Sequence, residues 1–288
     1  MKPELYIRSN CINAEGPVWD ENTDTLFFID VEAGNIFSYS HDNLLAWNAG
    51  EKVGCAVLRD RGGMIAALGS GIYEVDFPNG GKHLIADPER HIPGNRFNDG
   101  KVDPAGRLLA GTMAVSPKPG DPPAGALYCL DTDGSVTKRI DHVYLSNGLA
   151  WNEAGDAFYH IDTTARTVTR YDYDPDTGLM RNPEVIIHVP QSLGYPDGMT
   201  IDEQGMLWIA LWGGGAVSRW NPDTGELLEK YPLPVQNVSS CCFGGRGMDT
   251  LFITTASQET DLEKYPLAGS VFRMKAGITG AKSMKYRG

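Results

Sequence analysis

Glu15, Asn98, Asn147 and Asp197 each stand five residues before an Asp or Asn that opens a turn: Asp20, Asp103, Asn152 and Asp202. An apolar run follows every time: Leu26-Phe27-Phe28-Ile29, Leu108-Leu109-Ala110, Phe158-Tyr159-His160-Ile161 and Leu207-Trp208-Ile209-Ala210. Equivalent points of repeated units set around a closed ring converge on its axis. Two carboxylates and two carboxamides meeting there make an oxygen-rich cage suited to one divalent cation, and such donors accept Ca, Mg, Mn, Zn or Fe(II).

Arg96 lies two residues before Asn98, so on an extended segment both side chains face the same way. Asp99, at an odd offset, is expected to face away and leave the guanidinium free to donate to hydroxyl or carbonyl oxygens of a ligand. Other chemistries find no support. There is no G-x-S-x-G elbow, and the six histidines show no metal-binding spacing. His160 falls in an apolar run and reads as a core histidine. Cys241 and Cys242 have no base partner. Asp172 to Gly178 imitates a calcium loop, but its Gly comes one position late and Pro183 fills the twelfth place, so a hairpin turn is expected.

These residues need a scaffold, and the repeat supplies it. Two further units, around Met64-Ile65-Ala66-Ala67-Leu68 and Leu251-Phe252-Ile253-Thr254, share the pattern of turn and apolar strand without the polar site. The period of about 40–50 residues matches one four-stranded propeller blade. Third strands such as Ile36-Phe37-Ser38-Tyr39 and Val168-Thr169-Arg170-Tyr171 follow in each unit. The predicted fold is an all-β, six-bladed β-propeller, a single domain over residues 1–288, with its site in the central channel. Leu5-Tyr6-Ile7-Arg8 is expected to lend an outer strand to the last blade. Asn147-Gly148 and Asp197-Gly198 in isolation read as hairpin turns. Their register with Glu15 and Asn98 makes them strand starts instead. Antiparallel pairing then brings Asp30, Thr112, Asp162, Trp212 and Thr255, at the ends of second strands, to the same mouth.

Composition bounds the partners. The 288 residues carry a formal net charge of −12, which disfavours a nucleic-acid backbone. No stretch approaches the apolar length of a membrane span, and the N-terminus lacks a signal-peptide core. A soluble, cytoplasmic protein is expected, as a monomer or weak oligomer. Its five cysteines have no C-x-x-C spacing and read as buried thiols.

Glu15-Gly16-Pro17, Arg96-Phe97-Asn98-Asp99-Gly100-Lys101, Ser146-Asn147-Gly148, Pro196-Asp197-Gly198 and Cys242-Phe243-Gly244-Gly245 together resemble the gluconolactonase family that includes regucalcin, over nearly the full length. That resemblance implies a six-bladed propeller holding one divalent cation and hydrolysing a small-molecule sugar lactone to the aldonic acid. It implies Glu15, Asn147 and Asp197 as metal ligands, Arg96 and Asn98 as lactone contacts, and Asp197 also as catalytic acid/base. Tyr195-Pro196-Asp197-Gly198 and Leu211-Trp212-Gly213-Gly214 are most similar to bacterial pentonolactonases such as xylonolactonases. The loop from Pro117 to Ala124 departs from relatives that offer substrate another polar contact there. A calcium-dependent, paraoxonase-like esterase and a non-catalytic metal-binding propeller remain as alternatives.

Overall fold

Alternating apolar positions and Asx-type turns produce six four-stranded antiparallel sheets in the computed structural model, which describes residues 2–288. Their inner strands are Ala14–Asp20, Val53–Leu58, Asn95–Val102, Ser146–Trp151, Tyr195–Ile201 and Asn237–Gly244, and they define blades 1 to 6. The fold is the expected β-propeller. Glu4–Ile7 pairs antiparallel with Val271–Lys275, so the N-terminal strand completes blade 6 and closes the ring.

The recurring Asp and Asn residues act locally, by capping the turn that follows the inner strand. Asp202 accepts from the amides of Gln204 and Met206, and Asn152 accepts from that of Ala157. Asp103 goes further. It accepts from the Arg107 amide at 2.8 Å and the Arg107 guanidinium at 2.6 Å, and also from the Tyr173 hydroxyl, all buried. The Asp174 carboxylate likewise caps a hairpin turn, as expected, by accepting from the amides of Asp176 and Thr177.

Every inner strand carries one pairing irregularity, and all six fall at the same place: between Glu15 and Val18, Val53 and Cys55, Phe97 and Gly100, Asn147 and Leu149, Pro196 and Met199, and Val238 and Ser240. Such a bulge bends a strand and re-aims its side chains. Glycine is needed here for crowding. A Cβ on Gly148 would lie 2.7 Å from the Asp197 carbonyl oxygen, and one on Gly198 would lie 2.0 Å from the Ser240 hydroxyl. Both dipeptides therefore sit inside strands, as their register predicted.

The far mouth is crossed by the C-terminal tail. Gly280 and Ala281 donate amides to the carbonyls of Met248 and Ile201, and Tyr286 and Arg287 donate to those of Leu58 and Gly106. Lys285 adds a salt bridge to Asp20 at 2.8 Å. The tail thus ties five blades together and covers that end of the channel. No helix is long and apolar enough to cross a membrane among the described residues.

Candidate functional site

At the open mouth, a cavity of about 400 Å³ is lined by Glu15, Arg96, Asn98, Asn147 and Asp197. The residues expected from the sequence do come together. Glu15, Asn147 and Asp197 are all buried, at 7%, 3% and 7% exposure, which sets them in the channel wall rather than on the rim. Asn98 differs from the other three. Its side-chain oxygen accepts from Arg96 at 2.8 Å and its nitrogen donates to the Ser146 carbonyl at 2.9 Å. The amide is thus committed to holding Arg96, and the expected fourth open oxygen is already in use.

Asn147 is the reverse case. Its nitrogen donates to the Thr163 hydroxyl at 3.0 Å, and Thr163 in turn donates to the Pro196 carbonyl at 2.7 Å. Its side-chain oxygen is buried with no hydrogen-bond partner. An orphaned acceptor at such depth costs free energy unless something donates to it or coordinates it.

The carboxyls reinforce the point. Glu15 is pushed up from 4.5 to about 8, mainly by burial and then by the charge of Asp99; the Gly16 amide, Ser240 and Lys101 oppose this. Asp197 is raised well above its ordinary range by burial, then by Glu15 and Asp99, with the Asn147 amide opposing. Acids this close, buried and mutually repelling, call for a positive charge between them. Among the described residues no three His, Cys, Asp or Glu side chains are gathered as a metal cluster. The donors here are two carboxylates and one amide. With the orphaned Asn147 oxygen, that set fits a hard divalent cation held by Glu15, Asn147 and Asp197.

Two expectations need correction. Asp99 does not turn away from the site. The bulge between Phe97 and Gly100 breaks the alternation, and Asp99 lines this cavity and also a second one of about 410 Å³ beneath it. A sequence signal existed: the polar site is followed directly by Gly16, Gly148 or Gly198 in three blades, but in blade 3 by Asp99, with its glycine one place later at Gly100. Lys101 was missed too. Its ammonium reaches from blade 3 to the Met199 carbonyl at 2.6 Å and lowers the carboxyls of both Glu15 and Asp99.

The second correction concerns the ends of the second strands, of which Trp212 lines the cavity. Asp30 accepts from the amides of Ile12, Asn13 and Ala33, and Asp162 matches it with those of Tyr144, Leu145 and Ala165. Both pin the loops between blades. Thr112 is likewise engaged, with Glu89 at 2.9 Å. Arg96 makes no salt bridge among the described residues, and one of its guanidinium nitrogens donates to the Phe97 carbonyl and the Asn98 side-chain oxygen, both at 2.8 Å. Burial lowers its pKa, and the charges of Glu32 and Glu15 oppose that. His160 is a core histidine, pushed down to about 4 by burial and bonded to the Ser146 hydroxyl at 2.8 Å. All five cysteines are buried free thiols, with Cys241 pushed up to about 12, away from nucleophilic use.

The family model described as SMP-30/Gluconolactonase/LRE-like region matches residues 13–257, a span running from just before Glu15 to the end of the last inner hairpin. The chain belongs to this family. It is 38% identical over 294 residues to a regucalcin of Danio rerio, covering 100% of this chain and 99% of that protein. Among solved structures, it is similar to a luciferin-regenerating enzyme, with a TM-score of 0.92 and 30% identity over 99% of both chains. It is also similar to a calcium-binding protein, regucalcin, from Agrobacterium tumefaciens. That match has a TM-score of 0.91 and 25% identity, over 100% of this chain and 98% of the other. Membership of the SMP-30/gluconolactonase family is consistent with lactone hydrolysis.

Proposed function

We propose that the protein is a divalent-metal-dependent lactonase that opens a sugar lactone to its aldonic acid in the cytoplasm, as part of sugar oxidation. The observation that carries this reading is the buried, unpartnered Asn147 oxygen beside two carboxyls raised by burial and mutual repulsion. Glu15, Asn147 and Asp197 would hold the cation, and the calcium-binding description of the Agrobacterium relative makes calcium the first to try. When bound, the cation supplies Lewis-acid polarisation of the lactone carbonyl and offsets the developing oxyanion.

The remaining work falls to side chains. Asp197 takes a proton from the attacking water and returns it to the leaving ring oxygen. Asp197 lines the cavity beside the proposed cation, within reach of both the water and the ring oxygen. Arg96, held by Asn98 and free of salt bridges, donates to ring hydroxyls and sets the carbonyl toward Asp197. A cyclic ester is already reactive, so no covalent nucleophile is needed. Lactones of pentoses and hexoses both fit a cavity of about 400 Å³; the resemblance of Tyr195 to Gly198 and Leu211 to Gly214 favours pentonolactones.

The test separates ligand from base. Glu15→Asp keeps the charge, so excess metal restores part of the rate. Asp197→Asn keeps an oxygen donor but removes the proton acceptor, and its deficit of about 10²–10⁴-fold persists at saturating metal. Recovery of Asp197→Asn to within a few-fold of wild type would show Asp197 to be a ligand only.

A further inference from the structure

Blade 5 presents an aromatic surface to the same cavity. Tyr195 opens the inner strand two residues before Asp197, and both residues line the same cavity. Its cross-strand partner is Trp212, and both rings line the cavity that holds Arg96 and Asp197. Tyr195 is 42% exposed, unusual for a large ring on an inner strand whose next six residues are all buried.

The Tyr195 ring is anchored on one side. The Arg166 guanidinium lies 3.5 Å from the Tyr195 ring centroid and donates to the Gly194 carbonyl, so one face of the ring is covered by a cation from blade 4. Arg166 is fixed in turn: its amide donates to Thr163 at 3.1 Å and its carbonyl accepts from Val189 at 2.9 Å. After Trp212, the Gly213 amide donates to the side chain of Asn237, which is anchored in blade 6. Gly194 permits the approach of these segments, because a Cβ there would lie 2.5 Å from the Trp212 carbonyl oxygen.

Arg96, two blades away, offers only donors. The cavity therefore has a hydrogen-bonding side at blade 3 and an aromatic side at blade 5. We propose that Tyr195 and Trp212 form a stacking wall that selects sugar lactones presenting one ring face of C–H bonds, while the hydroxyls of the other face meet Arg96. A stereoisomer with a hydroxyl on the stacked face must bury it against the rings without a partner, a penalty that a site with matched donors avoids. The wall thus decides among epimers, where the cation and Asp197 cannot. This inference rests on the lactonase reading.

The experiment compares kcat/KM for a panel of epimeric pentono- and hexonolactones in the wild type, Tyr195→Ala, Tyr195→Phe and Trp212→Ala, with bound metal measured in each. The expected result is a KM raised about three- to tenfold for the best lactone in both Ala variants. The preference over its poorest epimer should shrink by a similar factor, with metal content unchanged and Tyr195→Phe close to wild type. A merely structural role for either ring would lower the rates on all lactones together and leave the epimer ratio intact, and that outcome overturns the proposal. A wild type that hydrolyses no sugar lactone with any metal overturns the lactonase reading and this inference with it. An active wild type whose epimer ratio survives in both Ala variants removes the aromatic wall alone.

Discussion

At the scale of single residues, the site divides into groups that hold charge and groups that hold substrate. Glu15→Gln, Asn147→Ala and Asp197→Asn each remove a charge or donor from the proposed cage, so each is expected to weaken metal binding in a calorimetric titration. Stoichiometric metal in the Glu15→Gln/Asp197→Asn double variant would end that assignment. Arg96→Ala is expected to keep full metal content and lose turnover, because Arg96 touches no carboxylate and faces the cavity. Equal loss of metal there would make Arg96 a structural residue. Strand alternation points Asp99 away and the bulge turns it in, so the one-place delay of Gly100 in blade 3 was its only trace in the sequence.

At the scale of elements, the repeat was readable because its punctuation is physical. Asp202 and Asn152 cap turns, and apolar runs pair as second strands, so the register of four polar residues could be found from turns alone. What stayed hidden was what the other rim residues do. Asp30 and Asp162 end second strands but do not line the cavity: each spends its carboxylate on three loop amides, a choice set by the connections between blades and not by strand pattern. The inner-strand glycines yield a prediction of their own. Gly198→Ala places a Cβ 2.0 Å from the Ser240 hydroxyl, and Gly148→Ala places one 2.7 Å from backbone. Each is expected to cost about 1–3 kcal/mol or more by overpacking, read as a lowered urea midpoint. Unchanged midpoints would mean that the blades can separate freely at the bulge.

At the scale of the whole molecule, six blades and a tail across the far mouth leave the cage open at one end, with buried acids whose ionisation is tied to folding. In chelated protein, Glu15 binds its proton more tightly when folded, having moved from 4.5 to about 8. Its contribution is therefore complete below pH 4.5 and is lost as pH rises through about 8, and Asp197 acts in the same direction. His160 runs the other way, since burial lowers it from 6.5 to about 4 and stability falls as the medium becomes more acidic across that range. The window between pH 6.5 and 8 thus belongs to the acids: chelated protein should lose Tm as pH rises through it, and a bound divalent cation should remove or reverse the slope. A flat Tm in chelated protein would deny the crowding of charge at the cage. The most direct test of the account is a sugar-lactone assay on purified protein, stripped by chelation and then reloaded with single metals. The account predicts that hydrolysis of pentono- or hexonolactones disappears on stripping and returns with one equivalent of a divalent cation. Full activity in the stripped protein, or no lactone hydrolysis with any metal, would contradict it.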